Sequence, residues 1–194
     1  MKLFMDSSTN YLYLSIVSDT FVKYFTRYGK CDHSETMVDY LGKFLKDNEI
    51  SVDDIDEVYV GRGPGSYTGL RIAGTIAKVF SFCKQTAFYS FSSLDLILAS
   101  VISNDGAYIA RIDAKKNHSY YKAVTIKNGN IKVDIDECFE ENSKIEALTD
   151  YKIIDINDEF FENGKMLGYI IANAKLYREE DFLDYTPNYI RSGI

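Results

Sequence analysis

Gly61, Gly63, Gly65 and Gly69 crowd the segment Gly61-Arg-Gly-Pro-Gly-Ser-Tyr-Thr-Gly-Leu-Arg71, between an apolar run at Glu57–Val60 and a helical pattern at Leu70–Cys83. A strand that turns into a helix offers backbone N–H groups and the positive end of the helix dipole, chemistry that suits an anion. A second polar turn, Asp6-Ser-Ser-Thr-Asn10, is compatible with a phosphate-binding loop and with a plain hairpin connection alike. Asp6, Gly63, Gly65, Ser66, Thr68 and Gly69 are therefore the candidate anion- or nucleotide-binding residues.

The spacing excludes the commoner catalytic loops. No lysine follows these glycines as a G-x-x-x-x-G-K-[ST] loop requires, and Ser66 and Thr68 break G-x-G-x-x-G. A G-x-S-x-G elbow around Ser66 would need glycine at 64 and 68, where Pro and Thr stand, so Ser66 is not a nucleophile and His118 has nothing to activate. Cys31, Cys83 and Cys138 are widely spaced, and His33 and His118 are the only histidines, so neither a zinc site nor a disulfide framework is expected. No catalytic residue and no metal ligand is assigned. Glycine also permits close packing at such a junction, and local chemistry leaves the structural and the anion-binding role equally open.

The elements around these residues follow from periodicity. Residues 2–5, 11–17 and 21–27 read as a three-strand meander. Residues 33–47 form the clearest helix, with Met37, Tyr40, Leu41, Phe44 and Leu45 on one stripe and Asp32 or Ser34 as its cap. The 70–83 helix carries Ala73, Ile76, Ala77 and Phe80 on one face. Ile72, Val79 and Phe82 load the other, so it needs a second partner surface, within the chain or in another subunit. A short helix at 94–101, strands at 107–113, 119–127, 131–135 and 152–156, and a helix at 166–177 complete the reading, with Asn128-Gly129 as a type I′ turn. Asn104-Asp105-Gly106 marks the boundary between lobes 1–104 and 105–194. With 194 residues, 46% hydrophobic, and no apolar run near the length of a membrane span, a soluble cytoplasmic α/β protein is expected. The net charge of −7, with no basic run longer than Lys115-Lys116, disfavours autonomous RNA binding.

The segment Gly63-Pro-Gly-Ser-Tyr-Thr-Gly-Leu-Arg-Ile72 resembles the GPGSFTGLRIG signature of the TsaB (YeaZ) family, with Tyr67 for Phe and Ala73 for Gly. Further blocks follow in the family's order: Phe4-Met-Asp-Ser-Ser-Thr9, His33-Ser-Glu35, Ser90-Phe-Ser-Ser-Leu94, Asp113-Ala-Lys115 (Lys for the family's Arg) and Thr186-Pro-Asn-Tyr-Ile-Arg191. The resemblance implies an ASKHA (actin-like ATPase, Hsp70-like) fold of two lobes, each a mixed sheet flanked by helices. It also implies kinship with TsaD (Kae1/Gcp) transferases, which place threonylcarbamoyl on N6 of adenosine 37 in tRNAs reading ANN codons. Their two metal-holding histidines correspond here to Ser93 and Ile97. The implied role is a non-catalytic scaffold that pairs with a TsaD-type transferase in a complex including a TsaE-type ATPase. It would form a homodimer when alone and meet tRNA only through the complex. No cofactor is implied for the chain itself, and ATP or ADP belongs to the complex. The partner surface is expected on the helices at 33–47 and 70–83, with Met37, Tyr40, Leu41, Phe44, Ala73, Ile76, Ala77 and Phe80 as candidates. The competing readings are an active nucleotide-binding ASKHA ATPase or phosphotransferase and, more remotely, an M22-type peptidase.

Overall fold

The computed structural model describes residues 1–29, 33–157, 160 and 166–190; Asp32, one of the two expected helix caps, and the terminal Arg191 lie outside them, as does the Ser34 side chain. Strands β1 (Lys2–Asp6), β2 (Tyr11–Val17) and β3 (Val22–Tyr28) form the expected meander. Helix α1 spans His33–Asp47, β4 spans Glu57–Gly61, and α2 runs from Tyr67 to Lys84. Strand β5 (Ala87–Phe91) and helix α3 (Ser93–Ala99) finish the first half. The second half contributes β6 (Gly106–Asp113), β7 (His118–Lys127), β8 (Asn130–Glu141), α4 (Asn142–Glu146), β9 (Lys152–Asp155), α5 (Leu167–Asn173) and β10 (Arg178–Glu179).

Two mixed sheets result, ordered β10-β5-β4-β1-β2-β3 and β8-β7-β6-β9. In the first, β1 pairs antiparallel with β2 and parallel with β4. Side chains alternate across a strand, and β1 shows the consequence. Leu3 and Met5 enter a core that includes Met37, Leu41 and Phe44 of α1 and Ala73 and Ala77 of α2. Phe4 points the other way, into a second core with Tyr13, Tyr59 and Phe91. That second core is shared: Leu94 and Ile97 of α3, Leu167 and Ile171 of α5, and Tyr108, Ala110, Ile112, Val124 and Ile126 of the second sheet all join it. Each large apolar side chain so buried contributes about 1.5–3 kcal/mol, so the lobes are joined by a common interior.

Three features differ from the sequence reading. Helix α2 begins at Tyr67, three residues early, because the Ser66 side chain caps it by accepting from the Gly69 N–H. Strand β8 extends to Glu141 instead of ending near 135; it is an edge strand with few fully buried side chains, so burial alternation gives no signal for its second half. The second sheet is built from β6 to β9, but β10 returns to the first sheet and pairs with β5, so residues 178–179 belong to the first sheet although they follow the second in sequence.

Candidate functional site

The candidate site begins at the C-terminal end of β1. Asp6 is buried, and its Oδ1 accepts from the Ser8 backbone N–H (2.9 Å) and the Ser8 hydroxyl (2.7 Å). Its Oδ2 accepts from the Ser93 hydroxyl at the start of α3, 2.6 Å away. The carboxylate thus ties the first turn to α3. The glycine segment packs onto the same turn: a Cβ at Gly61 would overlap Asp6 Oδ2, and one at Gly69 would overlap the Ser7 carbonyl oxygen. The Ser7 hydroxyl donates to Gly69 O (2.8 Å), and the Ser66 N–H donates to Ser8 O (2.6 Å). Gly65, at φ +154°, lies against the Ser8 backbone in a conformation that side chains other than glycine rarely adopt. A cis peptide joins Gly63 to Pro64.

Of the six candidate anion-binding residues, Gly65 and Ser66 line an open cleft of about 530 Å³ between the lobes. Asp6, Gly63 and Gly69 are buried, and Thr68 is exposed. The N–H groups of Ser66 and Gly69, at the start of α2, are engaged within the protein. Across the cleft stand Arg111, Asp113, Lys115 and Asp155. Arg111 binds Asp155 through two nitrogens (2.7 and 2.8 Å) and Glu146 through a third (3.2 Å). Lys115 holds Asp113 through its ammonium (2.8 Å) and its backbone N–H (2.9 Å), and together these keep that carboxyl below the usual carboxylate range.

The expected partner residues fall in two groups. Met37, Leu41, Phe44, Ala73 and Ala77 are buried in the first lobe's own core, whereas Tyr40, Ile76 and Phe80 are half-buried. Five of the eight candidates thus line this lobe's own core: a helix lying on a sheet turns its most regular apolar stripe inward, so the stripe that periodicity detects is largely the core face. The exposed large apolar side chains on these helices are Val38, Val79 and Phe82, at 66%, 56% and 70% exposure, together with Tyr67 at the start of α2 at 53%.

The second face of α2 has an intrachain cover. Residues after β10 cross it: Tyr185 is buried beside Gly74, where a Cβ would stand 2.7 Å from the ring, and its hydroxyl reaches Gly61 O (3.4 Å). Burial holds the Tyr185 phenol well above its usual range. Farther along, Tyr189 accepts from Arg71 (3.3 Å) and packs on the Tyr67 ring. Sequence reasoning missed this cover, and it also missed two polar links between the lobes. Lys122 of β7 pairs with Asp95 of α3 at 2.7 Å, and Arg62 pairs with Glu137 of β8 at 3.7 Å. All four of these charges are largely buried, and burial raises the Asp95 carboxyl despite the lysine beside it. Charges at isolated positions carry no periodic signal, so only the fold reveals them.

Among the described residues no helix is long and apolar enough to cross a membrane, and no three His, Cys, Asp or Glu side chains gather as a metal site.

Residues 27–182 match the family model described as "TsaD: tRNA N6-adenosine threonylcarbamoyltransferase". The chain is 30% identical over 128 residues to the tRNA threonylcarbamoyladenosine biosynthesis protein TsaB of Bacillus subtilis, an overlap of 66% of this chain but only 56% of that protein. A protein of the same name from Buchnera aphidicola is 22% identical over 191 residues, covering 97% of this chain and 81% of the relative. Among solved structures, YeaZ from Pseudomonas aeruginosa superposes with a TM-score of 0.75 at 15% identity, over 97% of this chain and 98% of that one. The two-lobed α/β ASKHA-like architecture is therefore common to both.

Proposed function

Because the chain belongs to the TsaB (YeaZ) family, kin to the TsaD transferases, we propose that it acts in making threonylcarbamoyladenosine at position 37 of tRNAs reading ANN codons, as a non-catalytic scaffold for a TsaD-type transferase. The observation that carries this reading is the state of the two positions where the resemblance puts the transferases' metal histidines. Ser93 commits its hydroxyl to Asp6, and Ile97 is buried in the apolar core shared by the lobes. One position is occupied structurally, and the other has no donor atom.

The cleft favours the same reading. Phosphates are held by cations and N–H groups not otherwise engaged. Here Arg111 is held by Asp155 and Glu146, Lys115 by Asp113, and the Ser66 and Gly69 N–H groups by Ser8 O and Ser66 Oγ. The chain needs no cofactor of its own in this proposal, and ATP or ADP acts in the assembled complex, where a TsaE-type ATPase joins. The acidic chain, at net charge −7, leaves tRNA to its partners. The partner surface is placed on the outward faces of α1 and α2, around Val38, Val79 and Phe82, and the same surface serves the homodimer.

Reconstitution tests the proposal. The purified chain should form a complex with a TsaD-type transferase and enable modification of an ANN-reading tRNA, and should transfer nothing alone. Transfer by the chain alone, or tight Mg²⁺–nucleotide binding with turnover by the isolated chain, would replace the scaffold with the ATPase or phosphotransferase reading.

A further inference from the structure

We propose that residues 180–190 are a strap that fixes the register between the two lobes and transmits it to α2. The argument starts from Asn188. Its backbone N–H donates to Arg62 O (2.7 Å), and its side-chain Nδ2 donates to Glu137 Oε2 (2.7 Å). The other oxygen of Glu137 faces Arg62 Nη2 at 3.7 Å, which closes a triangle of one residue from each of three chain segments. Arg62 belongs to the glycine turn of the first lobe and Glu137 to β8 of the second, while Asn188 comes from the strap. The Asp95–Lys122 pair joins the same two lobes nearby, and Asp95 senses both Glu137 and Arg62.

The shared apolar core already holds the lobes together, but apolar burial is non-directional and tolerates sliding. Hydrogen bonds with fixed donors and acceptors do not, so the two bonds from Asn188 select one register, with the Arg62–Glu137 ion pair beside them. The strap carries that register to α2 at several points, Phe182 against Phe82 among them. Tyr185 fills the notch at Gly74, the Leu183 carbonyl accepts from Lys78 (3.4 Å), and Tyr189 meets both Arg71 and Tyr67 in the first helical turns. A shift of β8 against the first lobe must therefore pull on α2. The coupling is a property of the isolated chain and stands whether or not a second protein docks on α2.

Amide hydrogen exchange on the full chain reads this directly. In Glu137→Gln, the amides of the first turn of α2, beginning with Leu70, should exchange about tenfold faster, while those of the β2–β3 hairpin stay within about a factor of two. Coupling between two positions is reciprocal, so Tyr189→Ala should speed exchange at the Tyr121–Cys138 pair of β7 and β8. Should Glu137→Gln fail to fold, Asn188→Ala, which deletes only the Nδ2 contact, gives the same readout. A change confined to Arg62 and its neighbours, or a uniform rise across both lobes, would overturn the proposal.

Discussion

Replacing a helical glycine by alanine ordinarily stabilises a protein, so Gly69→Ala in α2 makes a sharp test of what the glycine segment is for. Helix propensity alone predicts a gain of about 1 kcal/mol. The structure predicts the reverse. The new Cβ would overlap the Ser7 carbonyl oxygen and stand 2.9 Å from the Ser7 carbonyl carbon. Both are backbone atoms that no rotamer change can move. The turn cannot retreat easily either, because Ser7 also bonds Gly69 O and Ser8 bonds Asp6 and Ser66. Overpacking a rigid site costs about 1–3 kcal/mol, and the upper end applies here. After the propensity gain is subtracted, a net loss of about 2 kcal/mol remains, which lowers the Tm of a domain this size by about 4–8 °C. Gly42→Ala in α1 is the internal control: nothing lies within 4 Å of its added Cβ, so it should raise the Tm by about 2–4 °C. Thermal melts followed by circular dichroism measure both. If Gly69→Ala melts at or above the parent temperature, the steric account of the segment is wrong.

Ser93→Ala removes one donor from the buried Asp6 carboxylate and should cost about 1.5–3 kcal/mol in denaturant melts; an unchanged midpoint would show that the Ser93 bond contributes nothing. Ala77→Glu forces a carboxylate into a position with 0% exposure and should yield unfolded or insoluble protein. By contrast, Phe82→Asp at 70% exposure should leave the fold within about 0.5 kcal/mol yet abolish pairing with a TsaD-type partner; pairing that survives, read by size exclusion, moves the interface elsewhere. Asp113 should titrate below the ordinary range of aspartate because of Lys115. A depressed folded-state value means that the Lys115–Asp113 contact favours the fold above about pH 4 and that this benefit fades as pH falls further. Carboxyl shifts by NMR should show the titration return toward the ordinary range in Lys115→Ala.

The sequence made regular elements legible where periodicity and burial coincide. Helix α1 lies at 33–47 as read, and the meander follows from the alternation of Leu12, Leu14 and Ile16. The glycine segment marked the site's position, but not which way its groups point. Gly61, Gly65 and Gly69 report close approaches to Asp6, Ser8 and Ser7, 55 to 62 residues away in the chain, and no local pattern encodes such contacts. The apolar stripes of α1 and α2 marked residues that the fold buries or half-buries, since a stripe shows that a face is covered and not by what. The two-residue strand β10 and the strap beyond it were invisible for a related reason: Tyr185 and Asn188 act singly, through one notch and one pair of hydrogen bonds.

The structure also bears on whether one helix can serve both as an anion site and as a packing element. An anion-binding N-terminus works because its N–H groups wait for the ligand. In α2 the Gly69 N–H is capped by Ser66 and the Ser66 N–H is taken by Ser8, so those groups are spent on holding the first turn in place. The same turn then uses Asp6 to fix α3 through Ser93. The glycine segment is therefore a joint at which β1, β4, α2 and α3 meet at backbone distance. Its output is the orientation of α2, with Gly74 turned to the strap and Val79 and Phe82 turned to solvent. Residues that set a helix's orientation affect docking without touching the partner. Gly69→Ala should consequently weaken partner binding even at temperatures where the protein remains folded, whereas Gly42→Ala should leave it unchanged. Equal affinities for the two variants, measured by calorimetric titration well below either melting temperature, would break the link between the joint and the proposed docking face.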